Sequence, residues 1–223
     1  MSDIIREVDE ELRRERFMKL WARYGIYVVA AAVLVVVAVG GWRAWDWYVT
    51  REAAKSGARF EAAIALANQG RRFEAEAEFN ALAKEGTAGY RLLARFRAAA
   101  EAGKSDAGAG VVAYDAIAAD TSIESAIRDI ARVQAGLLLV DTASVAEITS
   151  RMQLLLLPSN PYRNSARELL GLAHYRTGER EAAAKLFGEI LADPEVPPSM
   201  RNRVQLMGTL LAGEMGASAP ATQ

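Results

Sequence analysis

The chain has 223 residues, with 27 basic and 28 acidic side chains, so its formal charge is 27 − 28 = −1. A nearly neutral chain has no excess positive charge with which to neutralise phosphates, and we expect no nucleic-acid partner. The absence of cysteine excludes thiol catalysis, disulfide scaffolds, iron–sulfur clusters and cysteine-type zinc sites. The presence of only one histidine excludes multi-histidine metal sites.

Residues 24–42 form an uncharged apolar stretch, YGIYVVAAAVLVVVAVGGW. Nineteen helical residues extend about 28 Å, close to the roughly 30 Å hydrocarbon core of a bilayer. The stretch therefore predicts a transmembrane helix in contact with the lipid bilayer. A cleaved signal peptide is the alternative, but a leader does not usually follow a polar segment as long as residues 1–23. Aromatic residues of the type found in membrane-interface belts flank the stretch: Trp21, Tyr24, Tyr27, Trp42, Trp45, Trp47 and Tyr48.

The charges on the two flanks predict the orientation of this helix. Basic residues dominate the segment just before the apolar stretch, whereas after it Arg43 and Arg51 are balanced by Asp46 and Glu52. The positive-inside rule then places residues 1–23 in the cytoplasm and residues 43–223 on the other side. Residues 1–23 are predicted to form a helix, which serves either as a docking or regulatory element or as a topology anchor at the interface.

Residues 43–212 are predicted to form an all-α domain, because strong helix formers dominate and strand signals are scarce. Turns are expected near residues 70, 86, 103–106, 158–161, 178 and 193–198, where glycine, proline or capping residues occur. Capping boxes are predicted at Thr121 with Glu124 and at Ser144 with Glu147, and an N-cap at Asn160. The small and polar residues 213–223 are predicted to be a disordered tail.

Two segments 108 residues apart share the pattern Gly-x4-Ala-x3-Phe, from Gly70 to Phe79 and from Gly178 to Phe187. In the same register Leu82 corresponds to Ile190, and a weaker third copy surrounds Gly110 and Tyr114. These residues resemble the tetratricopeptide repeat, a helical hairpin of about 34 residues. The resemblance implies an α-solenoid of antiparallel helical hairpins, with an open number and phase of repeats between residues 90 and 157. The positions with an implied structural role are Gly70, Ala75, Phe79, Leu170, Gly171, His174, Gly178, Ala183, Phe187 and Ile190.

The sequence predicts no enzyme and no cofactor, metal or small-molecule site. The segment GKSDAGAG at residues 103–110 lacks the upstream glycine and the preceding strand of a phosphate-binding loop. His174 has no recognisable nucleophile or orienting group. Protein partners are the remaining expectation. The candidate partner contacts are Tyr90, Arg91, Arg95, Leu156 and Tyr162. The alternative is that the arginines are simply exposed to solvent and the leucines simply buried between hairpins.

The order of the parts resembles the ancillary Sec-translocon subunit family. The resemblance rests on the charged N-terminal helix, the membrane span, its aromatic flanks, and the segments AAIALANQGRRFEAEAEF and ARELLGLAHYRTGEREAAAKLF. It implies a single-pass bacterial inner-membrane protein whose periplasmic domain passes exported proteins from translocon subunits to periplasmic chaperones. A scaffold that binds envelope or outer-membrane assembly factors is the alternative. A regulator that acts through residues 1–23 is a further hypothesis.

Overall fold

The computed structural model describes the backbone of residues 2–217 and the side chains of residues 14–214, and its regular structure there is entirely α-helical. This confirms the predicted all-α class with a long N-terminal apolar helix. Contacts divide the chain into a first unit that ends at Lys55 and a second that begins at Ser56. The helices are α1 (Ser2–Asn68), α2 (Arg72–Glu85), α3 (Ala88–Ser105), α4 (Ala107–Ala119), α5 (Ser125–Leu139), α6 (Val145–Met152), α7 (Arg163–Arg176), α8 (Arg180–Ala192) and α9 (Pro198–Ala217).

The first unit lies within α1, whose predicted segment boundaries at residues 23 and 42 are not marked by any break. By length and composition, α1 could span a membrane. Its large apolar side chains are exposed all round, as a lipid-facing helix requires. After the C-terminal end of the apolar stretch, the Arg51 guanidinium lies 5.1 Å from the centre of the Trp47 ring.

The second unit is a stack of helical hairpins. The pairs are residues 56–68 of α1 with α2, α3 with α4, α5 with α6, and α7 with α8, and α9 follows them. In each hairpin, three buried residues with spacings of four and three residues lie on the second helix or just after its end. Phe79, Tyr114, Met152 and Phe187 are the central members, at intervals of 35, 38 and 35 residues. The complete sets are Ala75–Phe79–Leu82, Gly110–Tyr114–Ile117, Ile148–Met152–Leu155 and Ala183–Phe187–Ile190.

A buried alanine or glycine on the first helix of each hairpin lies 16 residues before the central member of the set. These small residues are Ala63, Ala98, Gly136 and Gly171. A Cβ atom on Gly171 would approach the Phe187 ring to 2.6 Å, and one on Gly136 would approach Met152 to 3.0 Å. The absence of a side chain therefore lets the two helices of a hairpin approach closely. The four hairpins share this spacing between the small residue and the central buried residue. The spacing defines the number and phase of the repeats between residues 90 and 157.

The longer middle interval arises in the linker between α4 and α5. This linker contains residues 120–124, whereas only residues 86–87 separate α2 from α3. The Asp120 carboxylate accepts hydrogen bonds from the Ser122 amide at 3.1 Å and from Arg95 at 2.7 Å. The predicted capping box at Thr121 and Glu124 is therefore wrong: α5 begins at Ser125, and Asp120 organises the preceding turn instead.

Two other predicted helix starts have different outcomes. Ser144 caps α6, because its hydroxyl accepts the Glu147 amide at 3.2 Å. Asn160 does not cap α7, which begins at Arg163. Its side chain accepts the Tyr162 amide at 2.8 Å and donates to Asp129 at 2.8 Å, so Asn160 holds a turn that precedes the helix.

Glycines end α1 and α7 as the sequence predicts. Gly70 and Gly178 have φ values of +79° and +83°, in the left-handed region that glycine adopts without steric cost. The chain reverses through the same backbone hydrogen bond in both places. The Arg71 amide donates to the Leu66 carbonyl at 3.0 Å, and the Glu179 amide donates to the His174 carbonyl at 2.9 Å.

The last helix continues to Ala217, so the predicted tail from residue 213 begins inside α9. Glu214 explains this difference, because its carboxylate accepts from the Arg180 guanidinium at 2.7 Å and from the Tyr175 hydroxyl at 2.8 Å. These bonds attach the final turns of the helix to the preceding hairpin and lower the pKa of Glu214. The remainder of the predicted tail, residues 218–223, lies outside the described residues.

Asp193 joins the end of α8 to the start of α7, and we expect this contact to depend on pH. Asn164 donates to the Asp193 carboxylate at 2.9 Å and Arg163 donates at 2.9 Å, which together with the Glu195 amide lowers its pKa to about 2. The unfolded value is about 3.9, so the contribution to stability is full above that value and is lost as the pH falls towards about 2. Asp193→Asn should be less stable than the native chain at pH 7, and urea unfolding midpoints should converge as the pH falls from about 4 to about 2. A difference that stays constant over this range would contradict the assignment.

Arg176 links the end of α7 to the turn after α5. Its Nε donates to the Val140 carbonyl at 3.0 Å, and its Nη2 donates to the Ala143 carbonyl. We expect Arg176→Ala to lower the free energy of unfolding by about 1–2 kcal/mol, because two carbonyls lose charge-assisted hydrogen bonds. Arg176→Lys should recover part of the loss. Urea unfolding followed by circular dichroism measures both variants, and equal stability of the alanine variant and the native chain would refute this role.

Candidate functional site

An apolar groove of about 480 Å³ lies between α5, α7 and α9. The first helices of the last two hairpins and the helix that follows them supply its walls. Most of the lining side chains are aliphatic or methionine, and two leucines remain well exposed: Leu137 at 48% and Leu206 at 66%. The lining residues are Val133, Leu137, Ser165, Glu168, Leu169, Leu172, Met200, Arg203, Leu206 and Met207.

The register of the repeat brings these side chains together. Leu137, Leu172 and Met207 are separated by 35 residues each, and so are Val133, Glu168 and Arg203. Residues at one repeat interval occupy equivalent places on successive first helices, which lie side by side in a hairpin stack. One apolar position per helix, repeated three times, therefore builds a continuous apolar floor.

The charges in the groove neutralise each other. Arg203 donates to both oxygens of the Glu168 carboxylate, at 3.0 and 2.9 Å, and this pairing raises the pKa of Arg203. Such a forked pair holds both side chains in one geometry and leaves no net charge there. The groove is thus suited to an apolar or amphipathic segment of a partner, rather than to a strongly charged ligand.

Two of the predicted contacts, Arg91 and Arg95, lie in a separate cleft of about 340 Å³ between α3 and the start of α5. Arg91 is exposed, whereas Arg95 is half-buried and pairs with Asp120 at 2.7 Å. This cleft combines the two arginines with apolar side chains such as Leu92 and Ile127. The structure brings these two predicted residues together and places them outside the apolar groove.

The other predicted contacts have packing neighbours within the hairpin stack. The Tyr90 ring lies 5.8 Å from the ring of Phe60, and Leu156 and Tyr162 pack against the core of the third and fourth hairpins. None of these three residues lines the groove. Their role as contacts for a partner stays a prediction.

His174 lies near the end of α7 and is only partly exposed. Its Nδ1 is 2.9 Å from the Glu179 carboxylate, which also accepts from the Thr177 hydroxyl and has a lowered pKa as a result. These contacts connect α7 to the turn before α8. Among the side chains that the structure describes, no group of three or more histidine, aspartate or glutamate residues is arranged to hold a metal ion.

The groove residues do not appear among the predicted contacts, because they come from three helices far apart in sequence. A periodic signal was nevertheless present. Apolar residues recur at positions 137, 172 and 207, and the exact spacing of 35 residues follows from the Gly136 and Gly171 register. Recognition of Met152 as an equivalent of Phe187 would have revealed that register from the sequence.

A family model described as a tetratricopeptide repeat-like domain matches residues 18–205 of the chain. No curated protein and no solved structure shows significant similarity to it.

Proposed function

The chain belongs to the tetratricopeptide repeat-like domain family, and on this basis we propose that it is a membrane-anchored adaptor for protein–protein interactions beside the Sec translocon. The family supports a role in binding proteins. In the finer proposal, the adaptor receives exported proteins at the translocon and hands them to periplasmic chaperones. It performs no chemical step, and the chain acts by bringing partners together.

The observation that carries this proposal is the open apolar groove between α5, α7 and α9. Leu137 and Leu206 are exposed at 48% and 66%, although an isolated soluble domain would gain stability by covering such side chains. The Glu168–Arg203 pair leaves the groove without net charge. An emerging or partly folded protein offers the complementary surface, a short apolar or amphipathic segment.

The apolar part of α1 supplies the anchor in this proposal. The proposed location is the bacterial inner membrane, with residues 1–23 in the cytoplasm and the hairpin stack in the periplasm. Tethering to a membrane raises the local concentration of the groove near membrane partners, so a modest affinity is sufficient for repeated capture and release. A weak and reversible contact suits a protein that passes its clients onward.

The test is to purify the full chain from membranes in mild detergent and to identify the proteins that accompany it. A matched variant carries an unrelated membrane span in place of residues 24–42. Recovery of translocon subunits and periplasmic chaperones with the native chain is the expected result. Recovery of outer-membrane assembly factors alone would contradict the translocon proposal and favour the scaffold. Loss of translocon subunits from the variant alone would assign that contact to the span.

A further inference from the structure

Two methionines form part of the α9 wall of the apolar groove. Met200 and Met207 are separated by about two turns of helix, so both lie on the same side of α9. Each is partly exposed, and each also packs against the core that α8 forms with α9. The chain contains no cysteine, so the thioethers of methionine are its only oxidisable sulfur atoms. The groove therefore carries oxidisable side chains at the surface proposed to bind clients.

Met152 has the same chemistry but is enclosed by the protein. It is 0% exposed in the core of the third and fourth hairpins, where a Cβ atom on Gly136 would approach its Cε methyl to 3.0 Å. A dissolved oxidant reaches a partly exposed methionine directly, whereas it reaches a buried one only when the fold opens. We therefore expect Met200 and Met207 to react well before Met152.

Oxidation of a thioether by a peroxide needs no catalytic group. The sulfur lone pair attacks one peroxide oxygen, the O–O bond breaks, and a proton transfer releases the other oxygen as water, or as an alcohol from an organic peroxide. Sulfur loses two electrons and forms the sulfoxide, while the peroxide is reduced. A polar side chain then stands in place of an apolar one, and methionine sulfoxide reductases convert it back.

A sulfoxide changes the groove where a client must bury its apolar side chains. Met207 stands in the row that Leu137 and Leu172 complete, so a sulfoxide there interrupts the apolar floor with a hydrogen-bond acceptor. An apolar client segment offers this oxygen no donor. Covering it therefore costs desolvation free energy that binding does not return.

We infer that Met200 and Met207 make the groove an oxidation-sensitive binding site, which peroxides close to apolar clients and sulfoxide reduction reopens. This inference rests on the proposed function, because it assigns a regulation to the same groove. The fold should survive the change, since both side chains lie at the surface of the groove and the buried Met152 is protected.

The test uses the purified full chain in zwitterionic lipid nanodiscs, with a photo-activated cross-linking amino acid at position 137. Reduced, carboxymethylated lactalbumin, a soluble unfolded protein, is the probe and is added after hydrogen peroxide has been removed. Illumination should attach the probe to the chain, and peroxide treatment should lower the yield about tenfold. Peptide mass spectrometry should find one added oxygen at Met200 and at Met207 before Met152 gains one.

The double variant Met200→Leu with Met207→Leu is the matched control. Leucine is similar to methionine in volume and already occupies the row of Met207 at positions 137 and 172, so the variant should fold and bind the probe. It retains every other methionine, and its yield should be the same before and after peroxide. Methionine sulfoxide reductases should restore the yield of the oxidised chain and change nothing in the double variant.

An unchanged yield from a chain oxidised at Met200 and Met207 would overturn the regulation and leave the groove as a binding site. An equal loss of yield in the double variant would overturn it as well, because another residue would then be responsible. Protection of Met200 and Met207 to the same degree as Met152 would also overturn it. Failure of the untreated chain to cross-link the probe would instead contradict the proposed function of the groove, and the regulation with it.

Discussion

Replacement of Phe187 by alanine is expected to lower the free energy of unfolding of the hairpin stack by about 3–5 kcal/mol. Phe187 is 1% exposed and lies against Gly171 in the fourth hairpin, with further contacts in the core that α8 forms with α9. Truncation removes the apolar transfer energy of the ring and leaves a cavity that the backbone at Gly171 cannot fill. Urea unfolding of the detergent-solubilised full chain, followed by circular dichroism, measures the change.

Phe73→Ala is the matched control for this prediction. Phe73 is also on the second helix of a hairpin, but it is 79% exposed at the start of α2. Its truncation should change the free energy of unfolding by no more than about 0.5 kcal/mol. If the Phe187 variant were no less stable than the Phe73 variant, the buried register of the hairpins would not be the source of stability.

The second large effect concerns binding. Leu137→Glu should weaken the affinity for the partner recovered with the native chain by about 2 kcal/mol, or roughly 30-fold. The carboxylate would occupy an apolar floor beside Leu169 and Leu172, where a bound apolar segment would remove it from water without a compensating charge. Because Leu137 is 48% exposed in the free chain, folding should be retained. Titration of the purified partner against the full chain measures the difference.

Val112→Glu controls for the added charge. Val112 is 70% exposed on α4 and does not line the groove. Its affinity for the partner should equal that of the native chain, and both variants should unfold at the same urea concentration as the native chain. Equal loss of affinity in both variants would show that the groove is not the binding surface.

The first and fourth hairpins were predictable from the sequence because they retain the small residue and the aromatic residue of the repeat. Gly70 and Gly178 punctuate both, and Phe79 and Phe187 fill the same place. The third hairpin was not predictable in this way. Ile148 stands at the small position and Met152 at the aromatic position, and both are fully buried. At position 152 the flexible thioether fills the space of a ring.

The local capping errors have a common physical origin. A capping box is recognised from two residues, but side chains from distant helices compete for the same groups. Asp120 accepts hydrogen bonds from Ser122 and Arg95, and Thr121 therefore lies in a turn that precedes the helix. Asn160 donates a hydrogen bond to Asp129 on α5 and does not cap α7. These tertiary contacts are not visible in a local window of sequence, and the same is true of the groove, which requires three helices in register.

We propose that the groove between α5, α7 and α9 contacts other proteins at the membrane. The most direct measurement places a photo-activated cross-linking amino acid at position 137 of the full chain and identifies the proteins attached after illumination of intact cells. The same amino acid at position 112 serves as the reference. We predict that position 137 captures translocon subunits, exported proteins or periplasmic chaperones and that position 112 does not. Capture of the same proteins from both positions, or from position 112 alone, would contradict the claim.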